Sequence, residues 1–542
     1  MMLQPNSYEP YSSVSFQHKP PTSPLPGPGD DGKNNTRYRE AFLDALMESR
    51  PTLATSNTKK RRWHLRRQHR NRIIAALGIL LFFVYLFSNT IAIYWAFFRI
   101  KFDNALFDRG WVPCGVLRKE PMLYIQDTYH VQVVWEMNCG TRDMQVSWQR
   151  DAEQQPPSTT SPIEPLVLDK RHSLYKATIG PLKQGGEYTY RVETIHPSKR
   201  LVARHSFHWD ASTSDHQPQQ PIRMAAMADN QFGLRTFVSL LRRINKRVEY
   251  LIHAGDAVQN YPSLRQWQTD FVGPLTYYGL GQTMPMIYAH GNHDHDPTYE
   301  YHYTRVSPSS DPWYAFSMAD GAIRFVILDS NLDWEQQDEW LRHELAGHAF
   351  QHASFRVVVV HVPPFLEYWD PDAWNNKGQK EWGSFVKTRF VPLFEKYGVD
   401  LVISGHQHNY ERGQHNGIHY TIIGGAGGDL DFERVENYGM YESTSLDFHF
   451  VLLEFRPPSS TQRNAPWQLV WETYNLDGRK IDSVTLDAKL RTPIVEESNE
   501  SVLGQGAVTG ETIEELTYNE LLDNNPQLEE ELLNENEDDD IV

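Results

Sequence analysis

Hydrophobic and polar positions divide the chain into blocks of different period. Residues 1–58, rich in Pro, Ser, Gly and Asn around PPTSPLPGPGDDG, have too few apolar positions to close a core. They predict a disordered tail with at most a short helix at Tyr38–Glu48. A basic segment, 59–72, follows, and then Ile73–Phe98 runs without one charged side chain. A helix needs about 20 apolar residues to cross a bilayer core, and this run exceeds that. It shows no amphipathic stripe, against a buried globular helix, and it starts too deep and runs too long for a cleaved signal. From 112 to 212 the period drops to two: YHVQVVWEM places Val131, Val133 and Trp135 on one face, and further short strands are expected at Met144–Trp148, Leu174–Ile179, Tyr188–Val192 and Phe207–Trp209. After STSDHQPQQP, apolar strands alternate with helical segments. Strands are expected at Ile222–Ala228, Tyr250–Ala254, Met284–Ala289, Phe325–Leu328, Phe355–Val360 and Leu401–Ile403, and helices at Leu234–Lys246, Glu335–Leu345 and Lys380–Tyr397. Strands at His419–Ile423, Phe448–Phe455 and Gln468–Tyr474 carry the pattern to about 486. The fold class this predicts is α/β, a sandwich of two mixed β-sheets flanked by helices over 222–486. An all-β sandwich over 112–212 and one transmembrane helix precede it.

Charge refines the picture at the two ends. The net charge of −17 lies in the C-terminal segment, where Asp and Glu crowd the chain from Glu496 onward with no Lys or Arg. That predicts a disordered acidic tail over 487–542 and a nearly neutral body with no nucleic-acid signature. Lys59, Lys60, Arg61, Arg62, Arg66, Arg67, Arg70 and Arg72 precede the apolar run, whereas only Arg99 and Lys101 follow it, with Asp103 and Asp108 close behind. Positive flanks stay cytoplasmic. The expected topology is therefore single-pass type II, with the N-terminus cytosolic and everything after about 99 lumenal or extracellular. The basic block also fits a nuclear or nucleic-acid patch, but its place against the apolar span favours topology. Cys114 and Cys139, the two cysteines, are too few for a disulfide framework or a cysteine zinc site. One disulfide or two free thiols both stand open.

The chemistry-bearing residues fall where strands should end. Asp229 follows MAAMA, Asp256 sits in YLIHAGDAVQNY, Asn292 in MIYAHGNHD, His361 after RVVVV, and His406 with His408 in LVISGHQHNYER. Ligands gather at the carboxyl ends of strands in open α/β sheets. A carboxylate, amide and imidazole mixture suits Fe, Mn or Zn better than Ca, and a pair of such cations lowers the pKa of water and clamps phosphate oxygens. Taken singly, an Asp after a strand is more often a cap or turn residue. Five such motifs in order, each after an apolar run, carry the weight.

The series D…GD…GNHD…H…GHxH resembles the calcineurin-like metallophosphoesterase superfamily, and GHQHNYER is similar to the version in purple acid phosphatases. Those enzymes also place a fibronectin type III-like sandwich before the catalytic domain, a likeness shared here by the stretch around Gly180-Pro181-Leu182 and GEYTYRVE. The resemblance covers roughly 112–486 and implies two metal ions (Fe, Mn or Zn). Asp256 would bridge them, Asp229 and His408 would complete one site, and Asn292, His361 and His406 the other. His293 would hydrogen-bond a phosphate oxygen or protonate the leaving alkoxide. Asp294, His295 and Asp296 either assist or lie on the surface. One departure stands out: Gln259 occupies the position of the family's iron-binding Tyr, and the nearest Tyr, Tyr261, should not replace that ligand without a bulge. Gln259 either holds His293, as an Asp does in related protein phosphatases, or fills space. Gln231 stands where many members have a metal-binding His.

The reading that follows is a membrane-anchored hydrolase of phosphate monoesters. Two rivals remain: a phosphodiesterase acting on a lipid, glycan anchor or nucleotide, and a non-catalytic adhesion or receptor protein with a relic domain. YEYHYTRV, Tyr299–Val306, is either part of the catalytic mouth or an ordinary packed loop. The sequence does not set the oligomeric state.

Overall fold

The computed structural model describes residues 55–491 apart from 141, 152–155, 184, 197, 211–219, 245–247, 297–301, 305–310, 332–334, 369–385 and 460–464, with side chains from Arg66 onward. Most of the expected disordered tails, the helix at Tyr38–Glu48, most of the 212–221 linker, the start of Lys380–Tyr397 and most of Tyr299–Val306 lie outside the described residues, while 55–58, expected in the disordered tail, is helical.

The chain forms two units, 1–88 and 89–542. In the first, a helix covers Thr55–Leu86, and its part Arg66–Leu86 is long and apolar enough by length and composition to cross a membrane. The single helix expected over Ile73–Phe98 is corrected here. The helix breaks at Phe87, just before Ser88-Asn89-Thr90, whose side chains compete for backbone hydrogen bonds. A separate helix, Ser88–Asp108, follows and buries Ala96, Ile100 and Asn104. Ala96 and Ile100 pack on Leu234 and Val238, so the second half of the apolar run belongs to the globular body.

Two sheets face each other in that body. The larger has ten strands, in the order Lys480–Asp487, Gln468–Asn475, His449–Arg456, Ile222–Met227, Tyr250–His253, Met286–Tyr288, Val116–Ile125, Val131–Asn138, His172–Ile179 and Leu166–Val167. The second has seven: Tyr314–Met318, Ile323–Leu328, Phe355–Val360, Leu401–Ser404, Ile418–Ile423, Tyr410–His415 and Tyr441–Ser445. The central strands of both sheets are parallel. Period two sorts their side chains. Phe325, Ile327, Val357 and Val359 meet the ten-stranded sheet, while Val326, Leu328, Val358 and Val360 pack with Leu341, Leu345 and Phe394 of the helical layer. Of the expected helices, Leu234–Leu241 is shorter than predicted, Glu335–Ala346 matches, and Val391–Tyr397 follows a wide helical turn at Val386–Phe390.

The N-terminal β region has two layers, and a four-stranded sheet of Ser158–Thr159, Met144–Arg150, Gly186–Thr194 and Arg200–Trp209 forms one of them. The other layer is the far end of the ten-stranded sheet itself, joined where Tyr124 pairs with Met286. The expected boundary at 212–222 is therefore not a sheet boundary. Trp135 stacks on Tyr175 at 5.3 Å and donates to Met144 Sδ across the layers. Cys114 and Cys139 form a disulfide. At the other end the body runs past the expected 486: Ala488 is buried, and Arg491 pairs with the buried Asp400.

Candidate metal centre

Strand ends build the site under strain. Asp229, Asp256 and His406 follow Ile222–Met227, Tyr250–His253 and Leu401–Ser404, and all three have left-handed φ values of 61°, 55° and 68°. Non-glycine residues rarely adopt this region and cluster at functional sites when they do. Hydrogen bonds hold the strained turns. The His406 amide donates to both Asp229 carboxylate oxygens at 3.0 and 2.9 Å, and the Asp256 amide donates to Asp294 Oδ2 at 2.9 Å. The motif glycines are there for close approach. A Cβ at Gly291 would sit 2.0 Å from Asp256 Oδ1, at Gly405 2.4 Å from Asp229 Oδ2, and at Gly255 2.5 Å from His361 Nδ1.

The side chains converge as two adjoining groups. In one, Asp256, His361 and His406 each bring a ligand atom within 4.8 Å of the others. His361 Nε2 lies 3.4 Å from Asp256 Oδ2 and 3.1 Å from Asn292 Oδ1, and His406 Nδ1 lies 2.9 Å from the same Asn292 oxygen. In the other, His408 Nε2 is 3.6 Å from Asp229 Oδ1. His361 Nδ1 donates to the Ala254 carbonyl at 2.8 Å, and His408 Nδ1 to that of Asp429 at 2.6 Å. Each Nε2 is thereby turned inward toward oxygens that are themselves acceptors. In a buried site such facing acceptors are joined by protons on the imidazoles or by a bound cation, and this backbone-oriented imidazole is the usual support of a metal ligand.

The electrostatics agree. Burial alone would depress His361, yet the Asp256 and Asp229 carboxylates lift it to about 10. His408 is likewise lifted against burial to about 9, by Asp229 and Asp431. Burial pushes Asp256 upward, but the imidazoles of His361, His293 and His406 hold it well below the usual carboxylate range. Burial and the neighbouring His361 push His406 far down. The pocket attracts positive charge, and the donor set fits borderline divalent cations.

The remaining expected residues separate into two kinds. His293 is half-buried beside the cluster: its amide donates to Asp256 Oδ1 at 3.0 Å and its Nδ1 to the Gln259 backbone carbonyl at 2.9 Å. Position 259 thus supports His293 through its main chain rather than its side chain. Asp294 is no surface residue. It is 1% exposed and accepts from Ala257 N at 2.8 Å, Gly291 N at 3.0 Å and Tyr288 Oη at 2.6 Å, tying the GD and GNHD turns together. His295 is half-buried and Asp296 buried. Tyr261 turns its carbonyl to Trp267 Nε1. Gln231 is buried with its Nε2 3.4 Å from Asp256 Oδ2 and 3.3 Å from His408 Nε2, while its Oε1 has no hydrogen-bond partner among the described residues. Turning the amide by half a turn would present the oxygen, a metal-ligating atom, to the site. In YEYHYTRV the described Tyr303 and Thr304 are buried and pack inward, on Glu136 and His290. Sequence reasoning missed the 424–431 loop, which supplies Asp429 O and, through Asp431 Oδ2, a 2.7 Å acceptor for the His408 amide. Its signal was the run GGAGGDLD: a Cβ at Gly428 would meet the His408 ring at 2.6 Å.

Residues 222–410 match the family model described as calcineurin-like phosphoesterase. Among similar proteins, "Probable inactive purple acid phosphatase 24" of Arabidopsis thaliana is 24% identical over 297 residues, 45% of this chain and 46% of the relative. Human "Serine/threonine-protein phosphatase CPPED1" is 23% identical over 41% of this chain and 70% of its own length. "Purple acid phosphatase 18" of Arabidopsis thaliana is 25% identical over 54% of this chain and 70% of its own length. The chain thus spans about half of the first of these. The solved purple acid phosphatase PPD1 of yellow lupin superposes with a TM-score of 0.57 at 18% identity, covering 73% of this chain and 79% of that one, a likeness of fold. A fold of two mixed α/β sheets, the family match over the site-bearing strands and purple acid phosphatases among the relatives together place a calcineurin-like metallophosphoesterase domain in this chain.

Proposed function

We propose that the protein is a membrane-anchored hydrolase of phosphate monoesters that uses two metal ions held by Asp229, Asp256, Asn292, His361, His406 and His408. The observation that carries this is the inward convergence of carboxylate, amide and imidazole ligand atoms in two adjoining groups, linked where Gln231 Nε2 lies 3.4 Å from Asp256 Oδ2 and 3.3 Å from His408 Nε2. Such a metal pair supplies a nucleophilic water near neutral pH and neutralises the phosphate oxygens. The chain's own residues do the rest. Asp294 fixes the Asp256 turn, and the Ala254 and Asp429 carbonyls fix the imidazoles. His293, with Nδ1 engaged by the Gln259 carbonyl, turns Nε2 to the substrate and protonates the leaving alkoxide. Arg66–Leu86 is the membrane anchor, the N-terminus is cytosolic, and the body is lumenal or extracellular, a compartment where the Cys114–Cys139 disulfide persists.

The test uses the full chain in detergent micelles. Elemental analysis should find two transition-metal ions per chain, and aryl phosphate should turn over faster than bis-aryl phosphate. His293→Ala should lower kcat by about 10²–10⁴-fold with metal content unchanged. A folded protein that neither holds nor takes up metal would favour the non-catalytic reading. A preference for the bis-aryl compound would favour the diesterase.

A further inference from the structure

The helix Ser88–Asp108 is apolar on two faces. One packs on the body through Ala96 and Ile100. The other carries Ile91, Trp95, Phe98 and Phe102, exposed at 49%, 58%, 52% and 44%. Steps of four, three and four residues make these a single stripe. Tyr94 beside it is 52% exposed. Helices apolar all round are ordinarily enclosed by protein or lipid, and large aromatic patches on a surface mark a binding face.

Three observations indicate what covers it. The stripe begins within a few residues of Leu86, where the candidate membrane span ends. Its Trp and Tyr are the side chains that settle at headgroup level. Exposed basic groups flank it: Lys101 lies over the Phe97 ring at 4.7 Å, Arg235 donates to Tyr94 Oη at 3.2 Å, and Arg242 donates to the Asn89 carbonyl at 3.1 Å. Aromatic side chains on this helix with basic groups beside them match the headgroup layer of a bilayer, whose phosphate oxygens accept from Lys, Arg, Trp and Tyr.

The same helix adjoins the metal site. Leu234, packed on Ala96 and Ile100, opens the helix that directly follows Asp229, Asn230, Gln231 and Phe232. Phe232 is 70% exposed at a left-handed φ of 60°. Gly233 touches Gly427 so closely that a Cβ would fall 2.2 Å from it, and the loop beyond Gly427 exposes Phe432 by 65% and Val435 by 48%.

We infer that the exposed face of Ser88–Asp108 rests in the headgroup layer of a bilayer, and that the adjoining metal-site loops act on phosphate monoesters carried by lipids of that bilayer. This rests on the phosphomonoesterase reading. In the reaction water bonds to phosphorus and keeps one proton on the product phosphate, the bond from phosphorus to the lipid alkoxide breaks, and His293 gives that alkoxide its proton and regains the one that the water released. Inorganic phosphate and a lipid alcohol result.

The native chain has no thiol outside its disulfide, so Phe98→Cys in the full protein is a unique labelling site. Reconstituted in nanodiscs holding one chain each, an environment-sensitive fluorophore at 98 should be quenched by lipid-borne quenchers and shielded from aqueous ones, while one at Asp477→Cys, an exposed turn, should behave oppositely. Equal aqueous quenching at both positions overturns the inference. So does shielding at 98 that appears only when two chains share a disc, which would assign the face to a second copy. In the activity arm, Trp95→Ser with Phe98→Ser should cut turnover of phosphatidic acid in phosphatidylcholine vesicles by about tenfold or more, leaving soluble aryl phosphate turnover unchanged. An equal effect on both substrates, or none, overturns the lipid assignment. If the wild type fails on the soluble substrate, the phosphomonoesterase reading falls, and the fluorophore arm still decides where the helix lies.

Discussion

Gly291→Ala tests whether the motif glycines serve metal binding by close approach. A Cβ at this position would stand 2.0 Å from Asp256 Oδ1 and 2.4 Å from Asp256 N. An unstrained contact to carbon is about 3.5 Å, so the two must separate by roughly 1.5 Å. The Asp256 turn has little slack, because its backbone is already left-handed and its amide is bonded to Asp294. Ligand distances tolerate only about 0.2 Å, so the carboxylate cannot yield and remain a ligand. Disturbing a support of a metal ligand typically costs 10–100-fold in affinity, and displacing the proposed bridge should cost at least about 100-fold. Stability should fall by about 1–3 kcal/mol from overpacking. Chelator competition with elemental analysis reads the first quantity and thermal unfolding in detergent the second. The control is Gly439→Ala, where φ is +66° and nothing lies within 4 Å of the added Cβ. It should cost about 1–2 kcal/mol of backbone strain and leave metal content unchanged. Wild-type metal affinity in Gly291→Ala would refute the reasoning.

Asp294→Asn should cost about 1.5–3 kcal/mol and loosen metal binding, because an amide cannot accept from all the N–H groups that now converge on the carboxylate; melting temperature and metal content check it. Gln231→His should tighten metal binding at the Asp229–His408 group and Gln231→Ala should weaken it, both read by chelator competition, since the buried amide already lies 3.3 Å from His408 Nε2. Away from the site, Glu136 is buried with Lys119, His172 and Tyr303, and Glu136→Gln should cost about 3–5 kcal/mol by leaving Lys119 uncompensated. Burial opposes the charge on Glu136, but Lys119 and His172 hold its carboxyl down to about 2. Its folded pKa is depressed, so its contribution is complete above about 4.5 and is lost as pH falls toward 2; Glu136→Gln should flatten acid unfolding over that window.

How much of this was legible in the sequence follows from where each signal comes from. Strands such as Phe355–Val360 and Leu401–Ser404 are buried on both faces, so they read as unbroken apolar runs, and the residues at their ends could be ranked as donors. Val116–Ile125 escaped because VLRKEPMLYI carries charges, a Pro and two register shifts, and its Lys119 is buried through pairing with Glu136 rather than through apolarity. Tyr410–His415 begins inside GHQHNYER, where the chemistry of the motif masks a strand whose Glu411 and Arg412 are buried. The apolar run Ile73–Phe98 shows why hydropathy alone misplaces an element's end. Lipid and a protein core accept the same side chains, and only the packing of Ala96 and Ile100 on Leu234 separates the two uses. The support from Asp294 and from the Gln259 carbonyl depends on backbone atoms and turn geometry, which residue identity does not encode.

The ten-stranded sheet has a practical consequence. Because Val116–Ile125 lies directly against Met286–Tyr288, excising the N-terminal region at 212–222 would strip a neighbour from the strand that leads into GNHD. That cut would leave raw main-chain donors and acceptors, an invitation to clumping, within a few residues of Asn292. The region is no detachable cassette, and anyone trimming this protein for crystallisation does better to begin ahead of Ser88.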